Sequence, residues 1–67
     1  MREDRCTVET VRSRYTLQYD PVSGCYWVVA LDLATGEQEQ GGPFDERFGL
    51  WALHTIVQLE RVVFQDE

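Results

Sequence analysis

Residues 45–64 carry apolar side chains on two opposite sides of what reads as one helix, and a single small sheet can cover only one of them. At about 100° per residue, Phe48, Trp51, Ala52, Ile56, Leu59, Val62 and Val63 form one broad apolar face. Leu50, Leu53, Val57 and Phe64 gather on the far side, interrupted only by Glu60. Arg47, His54, Gln58, Arg61 and Gln65 make a narrow polar stripe between them. The broader face, with Trp51, is expected against the sheet. Leu50, Leu53, Val57 and Phe64 are then expected to stay outside, as a contiguous apolar patch of the kind that marks an interface. Three occupants suit such a patch: a second copy in a homodimer, the N-terminal arm of residues 1–10 through Cys6 and Val8, or a foreign partner.

The helix is expected to start at Asp45, whose carboxylate can accept from the free N–H groups of the first turn, with Glu46 suited to the positive end of the dipole. Gly49 is its one weak point. Upstream, the pattern changes to that of strands. From Cys6 to Tyr19 the second half alternates, with Val11, Tyr15, Leu17 and Tyr19 on one face and Arg12, Arg14, Thr16 and Gln18 on the other. Cys6 and Val8 are out of phase, so a bulge or break is expected near Glu9 and Thr10. Asp20-Pro21-Val22-Ser23-Gly24 reads as a tight turn, and Leu33-Ala34-Thr35-Gly36 as a second one. Between them, Cys25 to Leu31 is apolar on both faces, as a central strand should be. Glu37 to Gln40 is wholly polar, the signature of a protected edge strand, and Gly41-Gly42-Pro43 is expected to break the sheet. The fold class is therefore α+β: a three-stranded antiparallel β-meander, four-stranded if residues 1–10 add a strand, packed against one C-terminal helix. Residues 1–67 read as one small domain with a frayed tail at 65–67.

At 67 residues the core is small, and a chain of this length buries only about 60% of its unfolded surface. No run approaches the roughly 20 apolar residues of a membrane span, and the N-terminal residues lack a signal peptide's hydrophobic segment, so neither a membrane nor a secreted location is expected. Twelve acidic residues oppose six basic ones, for a net charge of −6. Residues 15–46 carry all of that excess, because Asp20, Asp32, Glu37, Glu39, Asp45 and Glu46 meet no basic residue there. Every basic residue is arginine, and the chain has neither lysine nor asparagine, which excludes Schiff-base chemistry and N-glycosylation. So acidic a chain is a poor direct ligand for nucleic acid.

Little chemistry is available. Cys6 and Cys25 are too far apart in the expected register to bridge, and with a single histidine, His54, no zinc spacing exists. Both read as small buried hydrophobes of a reducing compartment. A Cys–His nucleophile pair has no supporting spacing, and Glu37 with Glu39 on an exposed edge lack the desolvation a general acid needs. Gly41-Gly42-Pro43 before a helix start resembles a phosphate site, but Asp45 and Glu46 would repel phosphate. No catalytic residue, metal or cofactor is expected.

The acidic segment is the stronger functional signal. Asp32, Glu37, Glu39, Asp45 and Glu46 are the candidate partner-binding residues, an acidic face suited to a protein with a basic surface. Glu37 and Glu39, two residues apart on a strand, would stand about 6.5–7 Å apart, close to the spacing of successive phosphates. In size, charge and lack of catalytic residues the chain looks like phage-encoded inhibitors of bacterial defence, including anti-CRISPR proteins. That resemblance implies a cytoplasmic inhibitor, in a bacterial or phage-infected cell, that occludes a basic surface. The alternatives are a homodimeric accessory or regulatory domain assembled through Leu50, Leu53, Val57 and Phe64, and a small cysteine-dependent enzyme.

Overall fold

A computed structural model describes residues 1–63 and the backbone of Phe64, so the expected frayed tail lies outside the described residues. The elements run β1 (Glu3–Glu9), β2 (Ser13–Asp20), β3 (Cys25–Asp32), β4 (Gln38–Phe44) and α1 (Glu46–Phe64). The strands form one antiparallel sheet in the order β1-β2-β3-β4, and α1 lies across one face of it. The fold is an α+β meander in which residues 1–10 supply the fourth strand.

The turns follow from side chains that complete backbone hydrogen bonds. Near Glu9 the chain turns back outright: Thr10 Oγ1 accepts from the N–H groups of Arg12 and Ser13 at 3.3 and 3.1 Å. This turn carries Val11 out into solvent instead of onto the face of Tyr15. The register shift falls earlier, between Asp4 and Cys6, and brings Cys6 opposite Leu17 and Val8 opposite Tyr15. The arm therefore feeds the core from within the sheet and does not fold over the helix. The next two hairpins share one device, an aspartate four residues before a glycine. Asp20 Oδ1 accepts from Val22 N at 3.0 Å, and Asp32 Oδ1 from Ala34 N at 2.9 Å. Gly24 (φ 75°) and Gly36 (φ 80°) then turn the chain in the left-handed region, each donating its N–H to the aspartate carbonyl. The Val22 amide in particular holds the Asp20 carboxyl below its ordinary value.

Gly41-Gly42-Pro43 does not break the sheet. β4 runs through it, with a cis bond between Gly42 and Pro43 and a register shift opposite Tyr26 and Val28. Gly42 permits this because a Cβ there would stand 2.8 Å from the Trp27 ring. The open face of the sheet has no second layer among the described residues. Its apolar row on β3 is flanked instead by long polar side chains. The Arg2 guanidinium lies 4.5 Å from the Trp27 ring centroid and donates to Gln40 Oε1 at 2.7 Å, while Gln18 Nε2 donates to Asp4 Oδ1 at 2.9 Å.

The core holds Tyr15, Leu17, Val28, Leu53 and Val57, with Cys6, Val8, Tyr26, Ala30, Phe44 and Ala52 packed around them. This reverses the expected orientation of α1. Leu53 is 0% exposed and Val57 is buried, so neither belongs to an outward patch; Leu50 sits at the margin, and the side chain of Phe64 lies outside the described part. The face expected inside is outside: Phe48, Trp51, Leu59, Val62 and Val63 are all exposed. Two residues explain the choice. Gly49 lies on the Leu53 stripe, where a Cβ would stand 2.9 Å from Leu17 Cδ1 and 3.3 Å from Tyr26 Cβ. A helix can approach the sheet that closely only through a glycine. One turn beyond Val57, Glu60 accepts a 2.6 Å hydrogen bond from the Tyr15 hydroxyl. The side with less apolar area is the side that fits.

Candidate functional site

Where α1 passes β4, three small residues face one another. Ala30 on β3, Gly41 on β4 and Ala52 on α1 leave side-chain volume unfilled, and a Cβ on Gly41 would still meet nothing closer than 3.7 Å. The result is a groove of about 270 Å³ with Val28 and Ala30 at its base, Gly41 and Phe44 along β4, and Ala52 and Ile56 along α1. Its lining is mostly apolar.

At the end nearer the β3–β4 turn the groove passes Ala30, Glu39 and Ile56 into a more polar hollow of about 260 Å³. Asp32, Glu37 and Glu39 line that hollow together with Ser13 and Tyr15. Three of the five expected partner-binding acids thus meet at one mouth. Glu37 precedes the first residue of β4, so the strand spacing expected for Glu37 and Glu39 does not apply, though both carboxylates border the same space. Asp32 also has a structural task, since its Oδ1 accepts from Ala34 N and Thr35 N.

Asp45 and Glu46 are separated from this mouth. They follow the other end of β4, roughly 20 Å along the strand from Glu39 at about 3.3 Å per residue. Asp45 Oδ1 accepts from Phe48 N at 2.7 Å, which makes it the helix cap expected of it. Glu46 lies near Tyr26, whose phenol is raised above its ordinary value by burial and by that carboxylate. The expected single acidic face is therefore two groups: Asp32, Glu37 and Glu39 at the mouth of the groove between β4 and α1, and Asp45 with Glu46 at the start of α1, where Asp45 borders a separate open hollow with Arg47, Phe48 and Trp51.

Behind the hollow lies a feature the charge pattern does not disclose. Glu60 is buried, and its environment is built from β1–β2 turn and β2 side chains. Burial alone would raise its carboxyl. Hydroxyls of Thr10, Tyr15 and Ser13, with the Arg12 guanidinium, outweigh burial and hold it below the ordinary value. Burial first, and then this bond to Glu60, raises the Tyr15 phenol. The cluster ties the second half of α1 to the first hairpin. Its sequence signal was an acid in phase with Leu53 and Val57 and a tyrosine in phase with Leu17.

The two cysteines are unbridged. Cys6 packs at the core, whereas Cys25 pairs with Asp20 one residue before the core-facing Tyr26 and so points to the opposite face. His54 stands exposed on the outer side of α1 beside Thr55, Gln58, Leu59 and Val62. The structure does not bring His54 and either cysteine together as a nucleophile–base pair. Among the described residues, no group of three or more His, Cys, Asp or Glu side chains could hold a metal ion, and no helix is long and apolar enough to cross a membrane. Comparison with protein-family models, with curated proteins and with solved structures finds no match for this chain.

Proposed function

We propose that the chain is a non-catalytic binding protein whose working surface is the groove between β4 and α1 and its acidic mouth. The observation that carries this reading is the meeting of Asp32, Glu37 and Glu39 at the end of an apolar groove. An apolar floor supplies affinity when a side chain fills it, and carboxylates at the rim select for a cationic neighbour and steer its approach. The partner this chemistry fits is a protein segment that presents an aliphatic or aromatic side chain next to arginine or lysine. Basic surfaces of that kind are what nucleic-acid-handling proteins expose. By covering one, the chain would act as an inhibitor, with the cytoplasm of a bacterial or phage-infected cell as its place of action.

A synthetic peptide with leucines set between arginines tests the chemistry directly. Titrated against the chain, it should bind with an affinity that falls as salt rises. Glu37→Lys together with Glu39→Lys should weaken binding about tenfold or more, and Ala52→Leu, which fills the groove, should do the same without altering the charge. Equal affinity for the wild type and the charge-reversed chain would overturn the reading.

A further inference from the structure

The outward face of α1 is larger than a monomer of this size needs and has a pattern of its own. Phe48 is 52% exposed, Trp51 59%, Leu59 58%, and Val62 and Val63 65% each. Together these side chains offer on the order of 600 Å² of apolar surface, at the top of the range for the largest patch on an ordinary monomer. A standard interface takes about 800 Å² from each partner, so this face with its polar margin suffices for one.

Phe48, Trp51, Thr55, Leu59 and Val62 follow one another at intervals of three, four, four and three, a seam along one side of the helix that reads the same in both directions about Thr55. Size along the seam is graded. The aromatic residues occupy its first half, the aliphatic ones its second half, and small Thr55 its middle, where two helices can close to about 8–10 Å. Laid antiparallel on a copy of itself about Thr55, the seam sets Phe48 against Val62 and Trp51 against Leu59. Large side chains then meet smaller ones at both ends. A parallel pairing would crowd Phe48 and Trp51 against themselves and leave a gap between the valines. Antiparallel helices also oppose their dipoles favourably.

We propose that two copies of the chain associate through this face, their α1 helices antiparallel about a twofold axis at Thr55. Arg47, His54, Gln58 and Arg61 border the seam on one side and stay wet at the rim. Arg47 of each copy then comes near Arg61 of the other, and each copy carries a net charge of −6. Both repulsions are screened by salt, so association tightens as salt rises. That is the opposite of the dependence expected for a cationic partner in the groove, which lies on the β4 side of the helix. The two surfaces can fail independently.

Sedimentation from about 1 µM to about 1 mM, in low and high salt, reads the association. The wild type should shift from one chain mass to two as concentration rises, at lower concentration in high salt. Phe48→Glu and Val62→Arg, each on an exposed position, should keep the helical circular dichroism signal and each weaken association about thirtyfold or more, since a charge would be buried in the seam. Mixed in equal amounts, the two variants should recover much of the loss. Antiparallel pairing sets the new Glu against the new Arg, and a parallel pairing does not. A wild type that sediments as one chain throughout the range overturns the proposal, as does a mixture no tighter than its components. A dimer unaffected by either substitution would place the interface elsewhere and overturn it too.

Discussion

Leu53→Ala is expected to remove about 2–5 kcal/mol of folding stability, the usual result of emptying a fully buried leucine site. Leu53 is 0% exposed and packs in the same cluster as Leu17 and Val28. A domain of this length has on the order of 3–10 kcal/mol in total, so the variant should lie close to half-unfolded at physiological temperature. Urea denaturation followed by circular dichroism measures the change directly, with the midpoint falling and the slope kept. The counterpart is Leu59→Ala, six residues further along the same helix and on its outer side. Its effect on the folding of the single chain should stay within about 0.5 kcal/mol. The two leucines have the same chemistry in the same helix, and only the orientation of α1 separates them. A larger loss at Leu59 than at Leu53 would mean that α1 is turned the other way.

Glu60→Ala should be nearly as damaging at neutral pH, by about 1–3 kcal/mol, because it strands the buried Tyr15 hydroxyl that donates to it at 2.6 Å. Its signature is the dependence on acid. The Glu60 carboxyl is held below its ordinary value near 4.5 in the folded chain, so the folded state binds its proton more weakly than the unfolded state does. Stability from this group is fully present above the unfolded value and is lost as pH falls through the folded one. The wild type should therefore lose stability between about pH 5 and pH 2 more steeply than Glu60→Ala, and the two curves should converge at the acid end. Parallel curves would show that the ionised carboxylate contributes nothing. Tyr15→Phe separates the partners, since it removes the donor and leaves the charge.

The hairpins and the helix start were legible because each is set by local chemistry. Asp20 with Gly24, Asp32 with Gly36, and Asp45 before the helix need only their own neighbours to act. The orientation of α1 was not legible from hydrophobic area, since the larger apolar face lost. Fit decided it: Gly49 allows close approach to Leu17 and Tyr26, and Glu60 reaches Tyr15, contacts between residues far apart in the chain. Gly49 had read as a flaw in the helix, though its place on the Leu53 stripe marked the sheet-facing side. The acidic site was partly legible for the same reason. Asp32, Glu37 and Glu39 meet because one hairpin holds them, whereas Asp45 and Glu46 are carried off by the length of β4. The groove itself depends on Ala30, Gly41 and Ala52 coming together from three elements, which no local pattern shows.

The placement of the two tryptophans gives the chain a pair of built-in optical reporters. Trp51 stands on the outer side of α1, next to Phe48 with ring centroids 5.2 Å apart, and its indole is open to water. Trp27 is on the opposite face of the sheet, half-shielded beneath Arg2 and against Gly42. Water around an excited indole shifts its emission to the red, so the Trp51 emission moves to the blue when anything covers the helix. Trp27 responds instead to the loosening of Arg2 and the sheet edge. Emission from Trp27→Phe and Trp51→Phe chains would thus separate covering of the helix from fraying of the sheet without any attached label.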